Sequence, residues 1–347
     1  MQNQHVIVVG GGIVGCLTAL ALAKHGCQVT VVERNLIAAQ TSGESSWAGA
    51  GILFPLLPWD YRDEVNDLAL RGASLYPQMC DELKRETGID PEYTQSGMLI
   101  LPPFDTAKAQ AWCNKNNIEN CHLKTVKYAD LKAEKESLLL PNVGQVRPPH
   151  LLQALKQMLL QNGVKLLENT QLKLLENQAK ITTWQTMAGE TLTADAFVVT
   201  SGAWSFDLLK NTQSDLNIKP MRGQILLYKT DKPLIENIIY QDGFYLVPRR
   251  DGYLLAGSSL EDVGFDARTT DEMRQQIQTQ AEQLLPALKT QTIVKHWSGL
   301  RPGTPENLPI IAAHPTIENL FLNTGHFRYG LTMAPASAVR ITELILA

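Results

Sequence analysis

The chain has 347 residues, 44% apolar and 19% charged, a balance that fits a folded globular enzyme and argues against a disordered or fibrous protein. Thirty-one basic and thirty-five acidic side chains leave a net charge of −4, and the Lys and Arg residues are dispersed, which argues against nucleic acid as a partner. The length exceeds that of a usual single domain, so two domains sharing one ligand are expected.

The elements follow in order. His5–Val9 and residues 28–33 are short β-branched runs on either side of an Ala/Leu-rich helical stretch, Ile13–Lys24, which together read as β-α-β. Helical patterns follow at 61–87, 105–116, 150–161 and 271–285. Met98 to Leu101, Gln224 to Tyr228, Phe244–Pro248 and Tyr253 to Ala256 read as strands of an antiparallel or mixed sheet, with turn signals at Asp242-Gly243 and Asp251-Gly252. Ala196 to Thr200 and Leu320–Thr324 are buried-type runs ending in small residues, expected to return to the sheet of the first two strands.

Behind the first strand stands Gly10-Gly11-Gly12-Ile13-Val14-Gly15. Gly10 permits a tight turn, Gly12 lets a pyrophosphate approach the backbone, and Gly15 lets helix and strand pack closely. The helix start at Ile13 and Val14 offers free N–H groups and a partial positive charge. Such a turn alone is weak, but Glu33 ends the second strand 18 residues after Gly15, where a carboxylate accepts ribose hydroxyls and disfavours a 2′-phosphate. FAD or NAD is thereby favoured over NADP. Arg34 reads either as a stacking partner for adenosine or as a solvated surface arginine. The small-residue segment from Thr41 to Gly51, containing Ser45, Ser46, Ala48, Gly49 and Gly51, allows close approach of an extended ligand and favours FAD. A second contact is expected at Gly202 and Trp204, where the later strand ends.

These segments, with Arg222-Gly223-Gln224, Tyr245-Leu246-Val247-Pro248-Arg249, the run from Trp297 to Pro305 and Gly325-His326-Phe327-Arg328-Tyr329-Gly330, resemble the FAD-dependent D-amino acid oxidase superfamily. The run from Ser46 to Leu53 with Pro58-Trp59 makes the chain similar to its bacterial glycine oxidase branch, associated with thiamine biosynthesis. The resemblance implies an α/β fold in which a Rossmann-like FAD-binding domain (1–85, 142–216 and 300–347) is interleaved with an α+β substrate-binding domain on a mixed or antiparallel sheet (86–141 and 217–299). It implies oxidation of glycine, a small D-amino acid or a secondary amine such as sarcosine, with oxygen as acceptor. The products would be a 2-oxo acid, ammonia and hydrogen peroxide. A dehydrogenase using another acceptor and a flavin-binding partner subunit are the alternatives.

The same resemblance distributes roles. Arg301 is the carboxylate-binding arginine, on a loop stiffened by Pro302, Pro305 and Pro309; the alternative is a salt bridge to Glu306. Tyr245 adds a hydroxyl to that carboxylate or is a packing residue, and Arg328 contacts flavin or lines the pocket. His326 is a base or, more simply, a hydrogen-bonded core histidine. His326, Phe327, Arg328, Tyr329, Gly330, Leu331 and Thr332 form the flavin-facing stretch, with a helix starting at Leu331-Thr332. Leu260 stands where related enzymes carry methionine near the substrate.

No cysteine follows Cys121, so the FAD is expected to be noncovalent, and no cysteine pattern suggests a metal. The five scattered cysteines read as reduced thiols. With no apolar stretch of about 20 residues and no signal-type N-terminus, the expected location is the cytoplasm. The resemblance also implies self-association.

Overall fold

Runs of apolar residues without alternation belong to strands covered on both faces, whereas alternating runs belong to sheets with one dressed face. Both kinds occur, in two separate sheets. The computed structural model describes residues 4–118, 122–125, 136–214 and 216–347.

The first sheet has six strands in the order Ile310–Ala313, Leu320–Thr324, Ala196–Val199, His5–Val9, Gln28–Val32, Lys165–Leu167, parallel except for the first. Val6, Val8, Val31, Phe197 and Val198 are essentially without exposed surface, as expected for strands buried on both sides. On one face lie helices Ile13–Lys24, Asp63–Thr87, Pro148–Gln161 and Gly330–Leu346. Val9 is level with both Val32 and Val199. Three neighbouring strands therefore end together, and Gly10, Glu33 and Thr200 meet at their carboxyl ends, where open α/β sheets bind ligands.

The second sheet has eight strands and is antiparallel apart from one parallel pair, Met98–Ile100 with Ile238–Gln241. Its spine is the long antiparallel pair Lys219–Lys229 and Thr292–Gly303. Phe244–Pro248 and Tyr253–Gly257 continue it, and helix Asp271–Leu284 covers its outer face through Ile277 and Ala281.

Three expectations change. Arg301 lies inside the strand Thr292–Gly303 rather than on a proline-stiffened loop; Pro302 is paired across from Pro220, so neither proline deprives a partner of a donor it would otherwise have used. Residues 300–303 consequently belong to the larger sheet, not to the nucleotide side of a division at residue 300. The last helix begins at Gly330, one residue ahead of Leu331. Among the described residues, no helix is long and apolar enough to cross a membrane.

Candidate functional site: two joined clefts

The first cleft, about 260 Å³, opens at the carboxyl ends of the parallel strands. Gly10 has φ +113°, and a Cβ there would lie 2.8 Å from the Thr200 carbonyl oxygen. A Cβ on Gly15 would come within 1.9 Å of the Gly10 carbonyl oxygen, so the third glycine serves helix–strand contact, as the spacing suggests. The first helical N–H, on Ile13, donates to Ser46 Oγ at 3.0 Å. No acidic side chain occupies that first turn, which leaves the positive helix end unneutralised. Glu33 accepts from the N–H groups of Gly11 (2.7 Å) and Asn35 (2.9 Å), which holds its carboxylate at the rim.

Arg34 is half-buried and held on both sides of its fork by neighbours, Ser42 among them. Its guanidinium carbon lies 3.6 Å from the centroid of the Trp204 ring, and Phe265 stacks on the same indole at 5.7 Å. Burial lowers the Arg34 pKa, opposed by Glu33 and Glu44. Gly202, Trp204 and the segment Thr170 to Leu172 complete the wall. That last segment carries no sequence signal of its own. It arrives because the sixth strand pairs with Gln28–Val32 and Thr170 N–H donates to the Glu33 carbonyl.

Ser45 lines both clefts. From it the second, about 100 Å³, runs past Ala48, Gly49 and Gly51 to Arg301. The turn before it is tied by Glu44, whose carboxylate accepts from Thr41 N–H at 2.7 Å and Asn35 Nδ2 at 2.8 Å. Gly51 has φ +81°, and a Cβ would meet the Val146 carbonyl oxygen at 2.0 Å. Only glycine lets this segment lie against its neighbour.

The floor of the second cleft comes from the sheet register. Trp297, Ile225, Gly257 and Tyr245 stand level across four strands, and Gly299 faces Gly223 in the next row on the same face. The bare backbone of Gly223 is the bed of Arg301: a Cβ there would fall 2.0–2.4 Å from guanidinium atoms. Arg301 Nη2 donates to Ser258 Oγ at 2.7 Å and Nη1 to the Ser259 carbonyl at 3.2 Å. Burial lowers its pKa; Tyr245 opposes the shift and Arg328 adds to it. Glu306 pairs with Arg62 at 2.8 Å instead. Among the described residues neither Arg301 nor Arg328 has a carboxylate ion-pair partner, and the lining of this cleft contains no Asp, Glu or His.

The expected residues therefore separate into groups. Gly10, Gly12, Glu33, Arg34, Ser45, Ser46, Gly202 and Trp204 surround the first cleft. Ser45, Ala48, Gly49, Gly51, Tyr245, Arg301, Arg328, Tyr329 and Leu331 surround the second. Ile13, Val14, Gly15, Phe327, Gly330 and Thr332 stand behind these walls; Thr332, for example, donates to the Ile52 carbonyl. His326 lines neither cleft. It is 2% exposed, burial carries its pKa down to about 3, and its Nε2 has no partner among the described residues, so it is a neutral core group and not a base at the cleft. Leu260 points outward, 45% exposed; Ser258, two residues earlier, lines the cleft instead, a residue with no recognisable sequence signal.

A glycine-loop sheet joined to a cationic chamber defines a dinucleotide-dependent oxidoreductase. The chain belongs to the DAO family of FAD-dependent oxidoreductases, whose family model matches residues 5–344. It is 37% identical to a glycine oxidase of Pseudomonas putida, over 99% of this chain and 95% of that protein. It is 30% identical to a bifunctional protein ThiO/ThiG of Synechocystis, over 99% of this chain and 52% of that protein. The crystal structure of glycine oxidase from Geobacillus kaustophilus superposes with a TM-score of 0.90 at 26% identity, covering 100% of this chain and 95% of that one. The cofactor is FAD. The residues present fit it: a carboxylate at the rim, a helix end with no acidic side chain at the glycine loop, and a passage lined by Ser45, Ala48 and Gly49 leading to the second chamber.

Proposed function

We propose that this protein oxidises glycine, small D-amino acids or the secondary amine sarcosine to the corresponding imine. Water then hydrolyses the imine to a 2-oxo acid and ammonia (methylamine from sarcosine), while O₂ is reduced to hydrogen peroxide. The observation that carries the reading is the pair Arg301 and Arg328, two guanidinium groups facing one small chamber and without carboxylate partners among the described residues.

Bound FAD supplies the two-electron acceptor. Glu33, the Gly10–Gly15 turn, Ser46 and Trp204 would hold its nucleotide half, and Ala48, Gly49, Tyr329 and Leu331 its ring end. Attachment is noncovalent in this reading, since no described cysteine lines either cleft.

The chain's own groups do the rest. Arg301 offers a planar fork to the substrate carboxylate, and Tyr245 stands beside the fork. Ile225, Phe54 and Leu56 exclude water and restrict the side chain the substrate can carry. The two arginines disfavour an ammonium ion in the same chamber, so the substrate amine gives up its proton to solvent and reacts neutral. No residue of the lining is needed as a base.

A two-domain division, with the parallel sheet serving the cofactor and the larger sheet the substrate, is part of this proposal. So is a cytoplasmic location, supported by Cys16, Cys27 and Cys80, which form no disulfide among the described residues. Self-association is carried over from the resemblance. A supply of product to thiamine thiazole synthesis is likewise carried over from the resemblance.

The test is anaerobic flavin bleaching by glycine, sarcosine and D-alanine in FAD-replete protein, followed by peroxide release on admitting oxygen. Bleaching with peroxide is the expected result. Bleaching that only a dye reverses would make the protein a dehydrogenase, and no bleaching by any of the three would overturn the reading.

A further inference from the structure

Ser258 follows the strand Tyr253–Gly257 and lines the second cleft. A serine hydroxyl has one O–H to give and two lone pairs. Its oxygen accepts from Arg301 Nη2 at 2.7 Å, while its own O–H has no acceptor among the described residues. The neighbouring Ser259 is wholly committed: it donates to Glu261 Oε1 at 2.6 Å and accepts from Gln224 N–H at 2.8 Å. Glu261 in turn is fixed by the buried Arg222 at 2.6 Å. The segment bearing Ser258 is thus anchored from behind, and Ser258 presents an unspent donor into a chamber already cationic.

We propose that Ser258 is a substrate-binding residue, its O–H donating to the carboxylate that Arg301 holds. Accepting from the guanidinium on one lone pair polarises the hydroxyl, so its proton is a better donor toward an anion. It also keeps the plane of the fork fixed before the substrate arrives. The anion is then met by the fork itself, by Tyr245 and by Ser258. The inference rests on the reading of the cleft as a carboxylate chamber.

Acetate tests it without turnover, with acetamide as the neutral isostere. Each is titrated into FAD-replete wild type, Ser258→Ala and Ser258→Thr, and the change in flavin absorption is followed; KM and kcat are measured in parallel for whichever amino acid bleaches the wild type. Ser258→Ala should weaken acetate about tenfold, the scale of a hydrogen bond to a charged group. KM should rise by a similar factor, with kcat nearly unchanged. Ser258→Thr, which keeps the hydroxyl, should restore most of the affinity, and acetamide should bind weakly to all three. Equal acetate affinity in wild type and Ser258→Ala would overturn the role of Ser258 and leave the chamber intact. Loss in both variants together with a fall in kcat would mark a structural role and overturn it too. If wild type neither binds acetate nor is bleached, the carboxylate chamber fails and this proposal with it.

Discussion

The two clefts meet at Ser45 but are built from different materials. At the nucleotide end the backbone does most of the work: three glycines, a helix end, and a Glu33 carboxylate satisfied by two N–H groups, one from the glycine turn and one from its own loop. At the other end side chains far apart in sequence converge, and among the described residues no carboxylate pairs with their charge. A site made of satisfied backbone is pre-shaped and tolerant of small side-chain changes around it. A site made of unpaired buried charge is poised for a ligand of opposite sign, and each of its members is hard to replace.

Changes at one end should therefore leave the other intact, and the largest effect is expected at Arg301. Arg301→Ala should cost about 3–5 kcal/mol in kcat/KM, the scale for removing one member of a buried charge pair, while FAD stays bound. Loss of FAD from that variant, seen by gel filtration and absorbance, would break the separation of the two ends.

Gly223→Ala should follow, because its Cβ would occupy the space of the guanidinium. A displacement of this kind costs about a hundredfold in kcat/KM. An unchanged kcat/KM would show that Arg301 does not need its bed.

The opposite end is addressed by Glu33→Gln, which should weaken FAD by about 1.5–3 kcal/mol, the range for a hydrogen bond to a charged group. KM of the reloaded enzyme should be unaltered; equilibrium dialysis and steady-state rates separate the two.

The last effect falls on stability rather than on either cleft, and it is one of pH. His326 titrates near 3 when folded and near about 6.5 when unfolded. Between those values the unfolded chain binds the extra proton, so the stability contribution is complete above the upper value and is lost as pH falls toward the lower one. Thermal midpoints measured across that window should fall less steeply with acid in His326→Phe than in wild type. Equal slopes would remove His326 as a source of acid sensitivity.

The contrast also governs what could be read from the sequence. The Gly10–Gly15 spacing, Glu33 and the β-α-β order are local, and backbone sites are made of local spacing; these were legible directly. Arg301 and Tyr245 were reached only through resemblance, because they come together through the register of four strands, which spacing along the chain does not encode. The prolines around Arg301 suggested a loop, yet Pro220 and Pro302 face one another, so the strand runs on. Arg34 has two readings in the sequence, and neither includes the ring it lies against, Trp204, 170 residues away. Ser258 shows no pattern that sets it apart from other serines, and Gly223 stands out only within the Arg222-Gly223-Gln224 resemblance, which does not say that it is the bed of Arg301.

The stack of Arg34, Trp204 and Phe265 has one more consequence. The chain holds six tryptophans, and Trp204 packs against both a cation and a second ring at the wall of the nucleotide cleft. Its emission is therefore a built-in optical gauge of cofactor occupancy: entry of FAD would quench it by energy transfer to the isoalloxazine, and the residual signal after stripping would follow loading in real time without any added label.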